Sequence, residues 1–282
     1  DAITGEAAIE FKPVDDIMLY ASYQRGFKGS SFAPTQTIAA SNLIPSVSEE
    51  SVDAFEIGAK TSWANGRLIA NAAAFHYNYS DFQAFEFLSV GGFLQSFLFS
   101  IQEVQIKGIE ADIQSNPFGN LHLNAGIGFL DSEITNANVV LPPSVTLTIT
   151  EGNQIRNAPE TNFNMAAWYD FVSKSGNYYI TPQIEYVYVG EYFSDFVNTP
   201  PGATYPNLVD GSVFTADKGS LAGDYDQFNV QIRFAPTDDR YALTIFGQNI
   251  TAETQITGRF PGNLPQSGTD FATVRDGSAA VW

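Results

Sequence analysis

Side chains alternate in character along residues 67–81, which follow a tight turn at 64–66. One set is largely apolar and bulky: Ile69, Ala73, Phe75, Tyr77 and Tyr79. The other set is small or polar: Leu68, Ala70, Ala72, Ala74, His76 and Asn78. Because successive side chains of a strand point to opposite faces, this pattern predicts one long β-strand. It exceeds the usual length of about 5–6 residues and suits the roughly 9–11 that a tilted strand needs to cross a bilayer.

The same alternation recurs along the chain and predicts roughly eleven strands joined by connections that are short and long in turn. The short connections are turns rich in Pro, Asp, Asn, Ser and Gly, at 13–16, 64–66, 116–120, 173–177 and 236–239. The long ones cover 26–49, 131–158, 194–222 and 251–269. Transmembrane barrels sort their connections this way, with short periplasmic turns and long extracellular loops. The chain is therefore predicted to be all-β, as a transmembrane antiparallel β-barrel.

The direction of the first and last strands bears on the size of that barrel. A bacterial barrel begins and ends in the periplasm and has an even number of strands. Here the first and last predicted strands both run towards the periplasm, and lipid does not tolerate open sheet edges. We therefore expect further strands before residue 1, so that residues 1–282 form the C-terminal portion of a larger barrel.

A glycine marks a change of phase in the strand predicted at 101–115. The apolar positions move from Val104 and Ile106 to Ile109, Ala111 and Ile113, with Gly108 between the two sets. An extra residue in one strand shifts the alternation, so this position predicts a β-bulge.

Aromatic side chains cluster near the predicted strand ends, where barrels carry girdles at the two membrane interfaces. The residues expected to act as such anchors are Tyr77, Tyr79, Phe82, Phe85, Phe87, Tyr186, Tyr188, Tyr192 and Phe193.

Composition excludes several classes of function. The formal net charge is −18, so the chain lacks the basic footprint that nucleic-acid binding requires. There is no cysteine and there are only two histidines, which makes a transition-metal site and a thiol nucleophile poor hypotheses. His76 and Ser80 share a strand face but lie too far apart along an extended chain to hydrogen-bond, so we expect no enzyme activity and no cofactor.

Six short motifs, spread over most of the chain, resemble the TonB-dependent receptors, the ligand-importing barrels of the bacterial outer membrane. They are YASYQRGFK at 20–28, FEIGAK at 55–60, FHYNYSDFQ at 75–83, KGIE at 107–110, AP at 158–159 and QNI at 248–250. The resemblance implies a barrel of about twenty-two strands and a plug domain, neither the plug nor the first barrel strands being expected within residues 1–282.

The resemblance also implies a function. It predicts an outer-membrane receptor that imports a scarce ligand, such as a ferric siderophore, a vitamin or a glycan. The implied partners are outer-membrane lipid, the plug domain, the small-molecule or metal-chelate ligand and the TonB–ExbB–ExbD energy-coupling complex, with no nucleic acid among them.

Candidate site residues fall into two groups. Binding residues concentrate on loops held by a rigid scaffold, so the aromatic residues of the long connections are candidates for ligand contact: Phe32, Phe196, Tyr205, Phe214 and Phe260. Charged strand residues are candidates for facing the lumen and the plug: Glu56, Lys60, Lys107 and Glu110.

Two alternatives stay open at this point. A passive porin-like channel would share the alternation and the loop asymmetry. A soluble β-rich binding or structural protein would instead bury its apolar faces in a packed core, and would need no detergent to stay in solution.

Overall fold

The computed structural model describes residues 3–32, 46–90, 93–139, 149–206, 213–216, 218–260, 271–275 and 280–281. Within these residues, eleven strands form one continuous wall. They are β1 (Gly5–Val14), β2 (Ile17–Lys28), β3 (Glu50–Trp63), β4 (Leu68–Val90), β5 (Phe93–Ser115), β6 (Leu121–Val139), β7 (Thr161–Tyr169), β8 (Tyr178–Val189), β9 (Tyr225–Pro236), β10 (Leu243–Gln248) and β11 (Ala280–Val281).

The wall is an antiparallel sheet in which strand order equals chain order, from β1 to β11. A short twelfth strand, Phe171–Val172, also pairs with β8. The remaining short strands pair among themselves in the connections: Ser31–Phe32 with Ser46–Val47, Tyr192–Phe193 with Leu221–Ala222, Ala203–Pro206 with Val213–Ala216, and Gln255–Phe260 with Phe271–Arg275. The predicted all-β antiparallel fold and the number of wall strands are confirmed.

Most connections alternate in length as the sequence predicted. The exception joins β4 to β5, which are 23 residues long each and are separated only by residues 91–92. Two residues join β1 to β2, four join β3 to β4 and five join β5 to β6, whereas residues 190–224 separate β8 from β9. We call the two ends of the wall the short-turn end and the long-loop end. At the long-loop end β4 and β5 reach furthest, because β3 pairs with β4 only as far as Ser80, ten residues before β4 ends at Val90.

The two faces of the wall differ in chemistry. One face, the outer face, carries a belt of exposed apolar side chains: Ile9, Phe11, Leu19, Phe55, Ile57, Ile109, Ile113, Ile127, Phe129, Met165, Ile180, Ile184, Val230, Ile232, Phe234, Leu243 and Ile245. The opposite, inner face carries carboxylates, amides and tyrosines. Apolar outside and polar inside is the arrangement of a barrel in lipid, and it argues against a soluble fold with a packed core.

The faces of β4 are assigned by its neighbours. Ala74 lies in register between Ile57 and Ile109, so the small alanines of β4 belong to the outer face. Ala73 lies between Gly58 and Glu110, which places the bulky set, with Phe75 and Tyr77, on the inner face.

The predicted aromatic anchors therefore need correction. Tyr79 and Phe82 pack from the inner face against a buried cluster at the long-loop end, made of Ala84, Phe99, Ile101, Val104, Ile134, Ile149 and Phe196. Tyr192 is buried in the connection after β8, and the side chain of Phe87 lies outside the described residues. Of the predicted anchors, Tyr186 and Tyr188 do share the outer face of β8 with Ile184.

Aromatic pairs on the outer face mark both ends of the apolar belt. Near the long-loop end, ring centroids are 5.0 Å apart for Tyr23 and Phe55 and 4.7 Å apart for Tyr186 and Phe228. Near the short-turn end, the Tyr178 and Phe234 rings stack at 5.5 Å. Tyr186 lies eight positions after Tyr178, which is about 26 Å along the strand. At a barrel's usual strand tilt this is roughly 20 Å of height, most of an apolar band about 25 Å tall.

The predicted bulge at Gly108 is wrong. Pairing between β4 and β5 runs without a shift through Phe75–Gly108 and Ala74–Ile109. Gly108 is required by close approach instead, because an added Cβ would lie 2.5 Å from the Phe129 carbonyl oxygen and 2.5 Å from the Phe75 ring. The irregularity of β4 is at Asp81, whose φ is 52°, and it allows both Tyr79 and Phe82 to reach the inner face.

Among the described residues, no helix is long and apolar enough to cross a membrane.

Candidate functional site

Charged residues gather on the inner face of β2 to β5. Glu56, Lys60 and Glu110 line one cavity of about 370 Å³ together with Tyr20, Asn71 and Asp112. We call these six residues the charged half-wall. The sequence-predicted lumen residues Glu56, Lys60 and Glu110 thus lie together.

Contacts within the charged half-wall fix only some of its members. The Tyr20 hydroxyl donates to Glu56 Oε1 at 2.6 Å, and Lys60 Nζ lies 5.6 Å from the Tyr20 ring centroid. The Asn71 amide donates to Asp112 Oδ2 at 3.1 Å. Glu110 is exposed and takes part in none of the ion pairs found between described residues. The half-wall holds three carboxylates against one ammonium group, so it favours a basic partner.

Lys107 does not join this group. It lies three positions from Glu110 in an unbroken strand register, which puts it on the outer face beside His76 and Asp131. Its Nζ lies 3.0 Å from Asp131 Oδ2, and its side chain is about half exposed. The expectation that Lys107 faces the lumen is corrected, because odd and even positions of one strand face opposite ways.

A second stretch of the inner face, on β7 to β9, carries amide side chains. Its members are Asn164, Gln183, Gln227, Asn229 and Gln231, with one carboxylate, Glu185; we call it the amide half-wall.

Hydrogen bonds link these groups along and across the strands. Gln231 Nε2 donates to Gln183 Oε1 at 2.7 Å, and Gln183 Nε2 donates to Glu185 Oε1 at 2.5 Å. Gln227 Nε2 donates to Asn229 Oδ1 at 2.8 Å. The amide half-wall is therefore a ladder that satisfies much of its own hydrogen-bonding capacity.

The ladder leads to a polar pocket of about 460 Å³ at the short-turn end. There the His122 ring stacks on Trp168 with centroids 5.0 Å apart, and His122 Nε2 lies 3.2 Å from Asp170 Oδ2. Thr181 Oγ1 donates to the other oxygen of that carboxylate at 2.5 Å. These contacts form a floor of stacked rings and hydrogen-bonded side chains.

The turn after β9 closes this end of the inner wall. The Tyr179 hydroxyl and the Arg233 guanidinium each donate to Asp239 Oδ1 at 2.7 Å, and Arg233 also donates to Tyr179. The hydrogen bond from Tyr179 and the one from Arg233 lower the pKa of Asp239, which lies in the turn outside the spanning segments. This carboxylate is thereby held in its charged form.

The connection after β8 folds onto the inner face at the long-loop end. Phe196, predicted to contact ligand, is only 3% exposed, with its ring centroid 5.9 Å from Phe99 and 6.4 Å from Phe82. Its backbone N–H donates to the buried Glu86 carboxylate at 3.4 Å. In this structure Phe196 is a packing anchor, because the cluster takes up its whole surface.

A polar network holds the same segment from the other side. Asn153 Nδ2 donates to the carbonyls of Phe196 and Val197, both at 2.9 Å. The backbone N–H of Gln154 donates to Asn198 Oδ1 at 2.5 Å, and the Asn198 amide donates back to the Gln154 carbonyl at 3.0 Å. The buried Asp195 carboxylate accepts from the Ser220 hydroxyl at 2.8 Å. We call residues 194–199 the anchor segment.

Gln83 makes a similar tie for the connection between β2 and β3. Its side-chain nitrogen donates to the carbonyls of Gly29 and Ser48, both at 2.8 Å, and its oxygen accepts from Ser31 at 3.0 Å. Two long connections are therefore fastened to β4 within a few residues of each other.

The other predicted ligand contacts lie on the connections. Phe32 is 65% exposed at the end of a two-residue strand. Tyr205 and Phe214 are opposite each other in the hairpin Ala203–Pro206 and Val213–Ala216, and Phe260 ends the strand Gln255–Phe260 opposite Phe271. The side chains of these last three lie outside the described residues, so their role stays a prediction.

Sequence reasoning singled out neither the amide half-wall nor the ties at Gln83, Asn153 and Asn198. The signal for the first was present, since amides alternate with apolar residues along β8 and β9. The ties join positions far apart in the chain, and nothing local marks them. Among the described residues no cluster of three or more His, Asp or Glu side chains could hold a metal ion.

Comparison with known proteins agrees with this architecture. The family model described as TonB dependent receptor-like, beta-barrel matches residues 1–250. A probable TonB-dependent siderophore receptor of Acinetobacter baumannii, PiuA, is 25% identical over 210 residues, which cover 71% of this chain and 26% of that protein. The chain thus spans about a quarter of that relative's length.

Solved structures show the same fold. The crystal structure of PiuA from Acinetobacter baumannii has a TM-score of 0.65 at 19% identity and covers 99% of this chain and 35% of that one. The ferric yersiniabactin uptake receptor FyuA from Yersinia pestis has a TM-score of 0.71 at 15% identity, with 99% and 36% covered. The wall of β1 to β11 therefore corresponds to part of a larger barrel. The chain belongs to the TonB-dependent receptor family, whose barrels lie in the outer membrane of Gram-negative bacteria.

Proposed function

We propose that this chain is part of a receptor that imports a ferric siderophore across the outer membrane with TonB-coupled energy. The observation that carries the proposal is the polar inner wall beneath long connections that fold onto it. A wall of this kind can bind a ligand at the long-loop end and pass it inwards. The name of the relative PiuA, a siderophore receptor, supports the ligand class.

The chemistry of the proposed function is transport without covalent change. Aromatic and polar groups of the long connections capture the chelate, and the exposed ring of Phe32 is a candidate contact. The outer belt faces lipid. A plug domain inside the barrel closes the path until the TonB–ExbB–ExbD complex supplies the energy that moves it.

The charged half-wall is the surface that we assign to the plug. Glu110 and Asp112 present carboxylates to the lumen, and Lys60 is the single positive charge among the described residues that line this cavity. A buried carboxylate needs a partner, so basic plug side chains would stabilise the closed state.

Uptake of iron by cells tests the function directly. The native strain, its deletion mutant and the mutant complemented with the full-length gene would be grown without iron and given a panel of ⁵⁵Fe-labelled catecholate and hydroxamate siderophores. We expect saturable uptake of one class that is lost in the deletion mutant and in a strain lacking TonB.

Two results would contradict the proposal. Uptake that rises linearly with concentration and ignores the loss of TonB would indicate a passive porin-like channel. Normal iron uptake in the deletion mutant, combined with loss of uptake of a vitamin or a glycan, would assign another ligand class to the same barrel.

A further inference from the structure

The two half-walls differ in how far they depend on a partner. The charged half-wall leaves the exposed carboxylates Glu110 and Asp112 facing the lumen, where they need opposite charges if the lumen is filled. The amide half-wall pairs with itself through bonds such as those of Gln231 with Gln183 and of Gln227 with Asn229. Separating a domain from the charged half-wall therefore breaks ion pairs, whereas separating it from the amide half-wall leaves few groups unsatisfied.

The amide half-wall is also continuous from one end of the wall to the other. Gln227, Asn229 and Gln231 alternate along β9 from the long-loop end towards Arg233, which borders the pocket of about 460 Å³ at the short-turn end. Six residues of strand cover about 20 Å. Along this distance the inner face of β9 carries no charge before Arg233, and β8 adds only Glu185.

We propose that the ligand's path through this barrel runs along the amide half-wall, while the plug stays held at the charged half-wall. This inference rests on the proposed function and adds the route to it. Amides suit a chelate that is rich in oxygen atoms, because each amide offers a donor and an acceptor without a net charge. A single neutral hydrogen bond adds little net binding energy in competition with water, so a row of them guides a ligand without retaining it.

Single cysteines report which half-wall becomes accessible during uptake. Residues 1–282 contain no cysteine, and Asn229 and Asn71 are both half-buried on the inner face, one in each half-wall. The full-length receptor with Asn229→Cys or Asn71→Cys would be exposed in living cells to a membrane-impermeant fluorescent maleimide. Each labelling rate would be measured with and without the transported ferric siderophore, in cells with and without TonB, with the wild-type receptor as background.

We expect labelling of the Asn229→Cys receptor to rise about tenfold when ligand and TonB are both present, since the path opens along amides that bind weakly. Labelling of the Asn71→Cys receptor should stay within about twofold under the same conditions because ion pairs hold the plug there. An equal rise at both positions, a rise only at position 71, or no rise at either would overturn the route. A wild-type receptor that imports no siderophore would refute the proposed function instead, which separates the two failures.

A second measurement does not depend on labelling, because the reactivity of the two cysteines with maleimide could differ for reasons other than access. Asn229→Trp and Asn71→Trp place the same bulk on each half-wall, and siderophore binding and uptake are measured separately on each receptor. We expect Asn229→Trp to lower the rate of siderophore uptake about tenfold and to change the binding affinity less than twofold. The reason is that the added ring obstructs the path and does not touch the site that captures the siderophore. Unchanged uptake in Asn229→Trp would overturn the proposal.

Discussion

At the scale of the residue, small side chains on the inner face decide where rings can lie. Gly108 has the Phe75 ring and the Phe129 carbonyl oxygen at 2.5 Å from the position of an added Cβ, whereas Gly128 has nothing within 4 Å. The carbonyl belongs to the backbone of a paired strand and cannot swing away. Gly108 is thus fixed by packing, and Gly128 is not.

This difference predicts the outcome of a matched pair of substitutions. Gly108→Ala should lower the free energy of unfolding by about 1–3 kcal/mol, because the wall must shift to admit the methyl group. Gly128→Ala, in the neighbouring strand, should be close to neutral. Urea unfolding of the full-length receptors in detergent measures both, and equal effects would show that the close approach at Gly108 carries no strain.

The pKa of Asp239 gives a prediction in pH. Hydrogen bonds from Tyr179 and Arg233 hold it below the ordinary aspartate value of 3.8. A lowered folded-state pKa contributes stability that is complete above the ordinary value and is lost as pH falls through the folded-state value. Asp239→Asn removes that contribution and still tolerates the positive φ of 56° at this turn.

We therefore expect wild type to have a higher Tm than Asp239→Asn at neutral pH, with the gap closing below pH 3.8. Thermal unfolding of both receptors across that range is the measurement. Lys174→Gln, in the neighbouring turn, serves as a control for a general change of surface charge. A gap that is the same at every pH would mean that Asp239 contributes through packing alone.

At the scale of the element, the sequence pattern was enough to predict where the strands lie but not which of their faces contacts lipid. Alternation along β8 and β9 predicted both the strands and their two sets of side chains correctly. In β4 the alternation also separated the two sets of side chains, but the size of the side chains did not indicate which set faces lipid. The bulky set lies on the same face as Glu110, and the alanines lie between Ile57 and Ile109 on the outer face. The face that contacts lipid depends on the register with neighbouring strands, and the pattern of a single strand does not determine that register.

The backbone at Asp81 and the anchor segment show the same limit. A positive φ at Asp81 lets Tyr79 and Phe82 pack on the same face although β4 keeps its register with β5, and no residue nearby marks this change. Phe196 was an attractive ligand contact because it is an aromatic residue in a long connection. Its partners Phe99 and Phe82 lie about a hundred residues away in the chain, so its burial could not be predicted locally.

The anchor segment predicts how the connection after β8 loosens. Phe196→Ala removes a buried ring and should destabilise the attachment of this connection by about 3–5 kcal/mol, leaving the wall intact. The expected result is faster proteolysis and faster amide exchange in residues 190–224. Phe32→Ala, at a ring that is 65% exposed, is the matched control and should change neither. Protection unchanged by Phe196→Ala would mean that the polar ties of Asn153 and Asn198 suffice.

At the scale of the whole molecule, the apolar belt fixes which way the wall faces. Ile232 is 54% exposed on the outer face, and its chain neighbour Gln231 is on the inner face. A lysine on the lipid side must bring its charge into hydrocarbon, whereas one on the inner side meets polar groups. Ile232→Lys should therefore cost about 2–4 kcal/mol and Gln231→Lys much less.

The two lysine variants are compared by their heat-modifiability on a gel and by the yield of folded receptor in outer membranes. The expected order is wild type, then Gln231→Lys, then Ile232→Lys. The reverse order would exchange the inner and outer faces, and with them every assignment of a residue to lipid or to lumen.

Strand order equal to chain order has a consequence for how the wall is built. Each strand pairs with the strand that precedes it in the chain, so each pairing loses only the entropy of closing one connection. The free-energy cost of that closure grows by only about 0.6 kcal/mol for each doubling of the length of the connection. The short connections let β1–β2, β3–β4, β4–β5 and β5–β6 form early as hairpins. Residues 190–224, between β8 and β9, form the longest of these connections. The pairing of β8 with β9 should therefore be the slowest of those described, and a pulse-labelling experiment during assembly should find it protected last.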